Sequence, residues 1–161
     1  MPDKDKSARI KAAKMRKTYD VVIGIDTGVN TGYALWRPGV KRLIFVDTVK
    51  IHTAMQMVKD AKVFDCLGNG EGVLVRVEDA RKRQWFGNAG REQLQGAGSI
   101  KRDATIWEDF LTDLGVDFEM VAPKSNTTKV SAEYFAKITG WKGRTSEHAR
   151  DAAMLVYGFS R

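Results

Sequence analysis

The sequence holds a single cysteine, Cys66, among 161 residues. One thiol excludes an intramolecular disulfide and a thiolate zinc cluster. No run of about 18 apolar residues occurs, so no spanning helix is expected. Residues 1–17 lack the apolar stretch of a secretory leader. Their lysines and two aspartates also speak against an organellar transit peptide. A cytoplasmic protein is the expectation. There is no internal repeat, and no low-complexity segment beyond the first residues. What is present is ordinary for a globule: 43% apolar and 29% charged residues. That excludes wholesale disorder. A chain of this length buries about 70% of its unfolded surface, enough for one real core.

Charge is the first positive signal. The net charge is +7, and it is unevenly spread. Residues 1–17 carry seven basic residues (Lys4, Lys6, Arg9, Lys11, Lys14, Arg16, Lys17) against Asp3 and Asp5. Residues 81–102 carry Arg81, Lys82, Arg83, Arg91, Lys101 and Arg102 against Glu92 alone. Two basic clusters on a nearly neutral body suit contacts with a polyanion. A solvated tail and a solvated loop would look the same by charge alone.

The composition changes at Tyr19. Residues 1–18 read as a flexible basic arm able to become helical on a surface, and 19–161 as the folded domain. Tyr19–Asp26 is a near-continuous β-branched run, which predicts a central strand buried on both faces. Turn signals at 27–30 and at Pro38-Gly39 separate it from strands over Thr31–Arg37 and Lys41–Val49, so the first three strands form an antiparallel meander. The pattern then predicts a helix over Thr53–Leu67, a strand over Gly72–Val77, and a basic loop over 80–90. One or two helices over Glu92–Gly115 follow, then a short strand over Phe118–Ala122. Helices over Thr127–Thr139 and Thr145–Phe159 close the chain.

Three acids stand where an apolar element reaches the surface. Asp26 ends the first strand. Glu78, followed by Asp79, ends the Val73–Val77 strand. Asp151 lies on the last helix among alanines. A carboxylate in such a place needs a partner or a cation, because burying an unpaired charge is costly. Taken singly, each has a bland explanation. Asp26 would cap its turn, Asp79 or Glu78 would pair with Arg81, and Asp151 would pair with a lysine. Together they suit a divalent ion: ends of adjacent strands bring carboxylates close, and a helix laid across the sheet adds a third. Oxygen donors favour Mg²⁺ or Mn²⁺, and two such ions form the usual clamp for phosphodiester cleavage. His148 shares a helix face with Asp151 three residues on. It is either a partly exposed helix histidine or a ligand or proton carrier. Glu147, four residues before Asp151, competes for that place.

Val22-Ile23-Gly24-Ile25-Asp26-Thr27-Gly28, followed by Thr31-Gly32-Tyr33-Ala34, resembles the first motif of the RuvC family of Holliday-junction resolvases. Val77-Glu78-Asp79-Ala80 is similar to its second acidic motif, and His148-Ala149-Arg150-Asp151-Ala152-Ala153 to its C-terminal motif. The three occur in order over roughly residues 19–160. The resemblance implies a ribonuclease H-like α/β fold, a five-stranded mixed sheet of order 3-2-1-4-5 with the second strand antiparallel. It implies a homodimer that resolves four-way DNA junctions by paired symmetric nicks, with two Mg²⁺ or Mn²⁺ ions per site and no small-molecule cofactor. Asp26, Glu78, His148 and Asp151 would be catalytic metal ligands. Lys124 or Lys129 would meet the scissile phosphate. The chain departs from the family in two places. Arg81 stands where an aromatic residue often follows the second acid, with Trp85 and Phe86 further on. These two would stack on bases at the junction, or Trp85 would be buried in the core or a dimer interface. The basic arm also precedes the usual start. Both departures point to a divergent, phage-type member.

Other classes fare worse. A flap or general branch nuclease would show the same motifs. A silent junction-binding protein should lack an acid, and none is missing. An actin-like ATPase uses a similar Asp-x-Gly turn but repeats the fold in a far longer chain.

Overall fold

The computed structural model describes residues 17–67, 72–82, 91–123 and 129–160, with backbone alone at 67 and 91–97. In chain order the elements are β1 (Val21–Asp26), β2 (Asn30–Arg37), β3 (Arg42–Lys50), α1 (Ile51–Leu67), β4 (Val73–Glu78), α2 (Arg91–Leu114), β5 (Asp117–Val121), α3 (Ala132–Thr139) and α4 (Glu147–Met154). The strands form one sheet of order β3-β2-β1-β4-β5. β2 runs antiparallel to both β1 and β3, whereas β4 is parallel to β1 and to β5. This is the ribonuclease H-like α/β arrangement that the resemblance implies.

The period-two pattern of the strands decides what faces where. On one face Ile23, Ile25, Tyr33, Val73, Val75 and Val77 pack with Ala54 and Val58 of α1 and Trp107 and Leu111 of α2. On the other, Val22, Ala34, Trp36, Leu43, Val46 and Leu74 pack with Phe135 of α3 and Ala149, Ala152, Ala153 and Val156 in and after α4. β1 is buried on both faces, as its unbroken apolar run requires. Among the described residues no helix is long and apolar enough to cross a membrane.

The last two helices are shorter than the sequence pattern predicts. α3 begins at Ala132 rather than at 127, because Ser131 is extended and its Oγ accepts the Tyr134 N–H. α4 begins at Glu147 rather than 145, because Ser146 caps it by accepting from Ala149 N. Arg150 holds both approaches out of the helices: its guanidinium donates to the carbonyls of Val130 and Thr145. α4 stops at Met154, not Phe159. The chain tightens there, with Leu155 N donating to Ala152 O and Gly158 in the left-handed region at φ 78°. The turn brings the Phe159 carbonyl to Trp36 Nε1 at 2.9 Å. Between Arg91 and Leu114 the helix is single, running through Gly96 and Gly98.

Candidate active site

Alternation along β1 puts Val22, Gly24 and Asp26 on the α4 face of the sheet. The same alternation puts Leu74, Arg76 and Glu78 of β4 there. The parallel register sets Ile25 beside Val77, so Asp26 and Glu78 end adjacent strands side by side. Glu78 is near enough to Asp26 to lower its pKa.

α4 then crosses this end of the sheet at unusually close range. A Cβ on Gly24 would lie 2.1 Å from Ala152 O, and one on Gly32 would lie 2.0 Å from His148 O. Gly32 is the β2 partner of Asp26. Neither position tolerates a side chain, and this is what lets the helix backbone rest directly on the strands. The alanines of α4 contribute from the other side, as their small size suggests. At the start of α4, Ser146 Oγ also bonds Thr48 Oγ1 of β3. His148 thereby reaches Asp26, with Nδ1 2.8 Å from Oδ2.

Asp26 is 9% exposed. Burial pushes its carboxyl above the ordinary range, and the negative charge of Asp151 adds to the push. Hydrogen bonds with His148 and Glu78 oppose it. Asp151 is likewise raised by burial; Lys129 lowers it and Glu78 raises it. Asp26 thus feels the charge of Asp151, and Asp151 that of Glu78. Lys129 Nζ lies 3.9 Å from Asp151 Oδ2 and forms an ion pair with Glu147. The two candidates for the place beside Asp151 are thus separated: His148 meets Asp26, and Glu147 meets Lys129.

Among the described residues no three His, Cys, Asp or Glu side chains are gathered into a ready metal cage. The donor chemistry nevertheless fits a hard cation. Asp26, Glu78 and Asp151 offer oxygen ligands, and two of them are buried or half-buried against their own repulsion. A divalent cation would relieve that repulsion.

The remaining candidates are dispersed. Arg81 turns inward, with Nε and Nη2 each 2.8 Å from the two oxygens of the buried Asp79 and Nη1 2.7 Å from Glu108. It braces the chain after Glu78 to α2, which is the bland pairing considered for it. Lys82 Nζ donates to Met120 O at 2.6 Å. Lys101 and Arg102 are exposed on α2. Arg83, Trp85, Phe86 and Lys124, and the side chain of Arg91, lie outside the described residues. So does the arm before Lys17. Sequence reasoning missed the part played by Gly24 and Gly32. Their signal was glycine inside a strand, on the same face as an acid, which marks close backbone approach.

No protein-family model and no curated protein matches the chain. Among solved structures, T. thermophilus RuvC in complex with a Holliday junction substrate aligns over 84% of this chain and 89% of that chain, with a TM-score of 0.45 and 19% identity.

Proposed function

We propose that this protein is a divalent-metal-dependent endonuclease that resolves four-way DNA junctions as a homodimer, by paired symmetric nicks. The observation that carries the reading is the convergence of Asp26 and Glu78, ending adjacent parallel strands, with His148 and Asp151 laid over them by α4. The basic clusters supply the affinity for a polyanion.

Asp26, Glu78 and Asp151 would hold the ions. Bound Mg²⁺ or Mn²⁺ would lower the pKa of a water and neutralise charge developing on the phosphate. The chain's own residues do the rest. Asp26, fixed by its bond to His148, keeps one oxygen oriented. His148, with half of its side chain exposed, is placed to accept a proton at Nε2 and pass it to solvent. Lys129, ion-paired with Glu147 and 3.9 Å from Asp151, would have to leave Glu147 or share its ammonium to meet a phosphate oxygen. A two-fold dimer would present two such sites to a substrate of two-fold symmetry.

The test is a cleavage assay on a synthetic mobile four-way junction, with linear duplex and a flap as controls, in Mg²⁺ and in Mn²⁺. Paired symmetric nicks, lost in Asp26→Asn, are expected. Equal cutting of the flap would shift the reading to a general branch nuclease. Tight binding without cutting in either metal would overturn the enzyme and leave an architectural protein.

A further inference from the structure

The two ends of the sheet differ in what they offer. Asp26 and Glu78 occupy one end. The β2–β3 connection lies at the other, since Trp36 pairs with Val22 and Arg37 with Arg42. From Gly32, opposite Asp26, to Arg37 is five residues of strand, or about 17 Å at 3.3–3.4 Å per residue.

That far end is basic. Arg37, Lys41 and Arg42 are all exposed, and no acidic residue occurs between Asp26 and Asp47. The connection is also firmly built. Pro38 opens a short helical turn, Lys41 adopts the left-handed conformation at φ 51°, and its N–H returns to Pro38 O. A non-glycine residue held there costs energy, so the position of these cations is imposed by the turn.

We infer that Arg37, Lys41 and Arg42 form a second phosphate-binding surface, which holds a stretch of DNA other than the one being cut. The inference rests on the proposed action on branched DNA and names how that substrate is held. A surface about 17 Å from the acids has no part in the chemistry. It suits a substrate whose arms diverge from a common centre, because one arm is held while a strand near the centre meets Asp26. The exposed Val40, in the turn, and Ile44, in the first residues of β3, suit packing against sugars between phosphates.

The test compares full-length protein with the triple variant Arg37→Gln, Lys41→Gln, Arg42→Gln. A charge-matched control carries Lys59→Gln, Lys137→Gln and Lys142→Gln. Junction binding is followed by fluorescence anisotropy across a salt series, with Ca²⁺ present. Three lost phosphate contacts should reduce the slope of log K against log salt by about 2.7. The affinity at fixed salt should drop about tenfold or more, with the control changing by less than half as much. The cutting rate at saturating protein should stay within about twofold of the parent, and the melting temperature should be unchanged. A triple variant that binds like the control overturns this surface while leaving the nuclease intact. A parent that binds but never cuts overturns the enzyme, and the slope still decides the surface. A parent that binds no DNA overturns both.

Discussion

Asp26 carries opposing demands. Its carboxyl is buried beside Glu78 and feels Asp151, so its folded-state pKa is raised. A raised carboxyl pKa means the folded chain holds the proton more tightly than the unfolded chain. Its contribution to stability is therefore largest at low pH and declines as pH rises through the folded value. At neutral pH without metal, Asp26→Asn should raise the melting temperature while abolishing cutting and sparing junction binding. A lower melting temperature for Asp26→Asn in EDTA would show that the carboxylate is stabilised, not strained, in the apo protein. Asp79 behaves in the opposite sense. The Arg81 guanidinium holds its carboxyl below the usual range, with help from the Arg81 N–H. Its stabilisation is present above the unfolded value near 3.9 and is lost as pH falls through the folded one. Asp79→Asn should cost about 2 kcal/mol in urea denaturation at pH 7, and the gap from the parent should close in strong acid. The sequence marks Asp26 and Glu78 as acids at strand ends. It offers Asp79 and Glu78 equally as the partner of Arg81. The period of β4 separates them, because Glu78 points to α4 and Asp79 follows the end of the strand.

At the scale of elements, the site exists because α4 rests on bare backbone. Gly24→Ala or Gly32→Ala places a methyl within about 2 Å of a helix carbonyl, so the helix must lift. We expect each to cost about 1–3 kcal/mol and to depress cutting more than stability, since His148 and Asp151 move with the helix. Gly39→Ala, which meets nothing within 4 Å, is the neutral control. Ser146→Ala should cost about 1 kcal/mol through loss of the α4 cap and should also weaken the tie to Thr48. The elements and their succession along the chain were legible from β-branched runs and helical spacing, whereas the order of strands in the sheet came from the family resemblance. Helix ends were less so. Thr127–Ser131 and Thr145–Ser146 have helix-compatible residues, and what keeps 129–131 and 145–146 out of the helices is the capping serines and the long reach of Arg150. That reach is a tertiary contact.

For the whole molecule, the proposal makes charge and symmetry measurable. A chain of 18.0 kDa and net charge +7 that binds one junction as a dimer should sediment with twice that mass on the DNA. Binding should weaken steeply with salt, at about 0.9 in the log–log slope for each phosphate neutralised. Two monomers binding independently, without a dimer on the junction, would leave paired nicking without a structural basis.

Local chemistry by itself determined the elements and their order. The apolar run of β1, the turns after Asp26 and Arg37, and the alternation of helix and strand after β3 point to an antiparallel meander followed by alternating helices and strands. It also named the acids, because a carboxylate at the end of a buried strand is conspicuous. What it could not decide is which groups touch. His148 and Glu147 are neighbours on the same first turn of α4, equally able to approach Asp151 by spacing. The crossing of α4 over Gly24 and Gly32 turned His148 to Asp26, and Lys129 took Glu147. Side-chain period sets a direction along one element, but a contact between elements depends on how closely their backbones approach, and here two glycines set that distance.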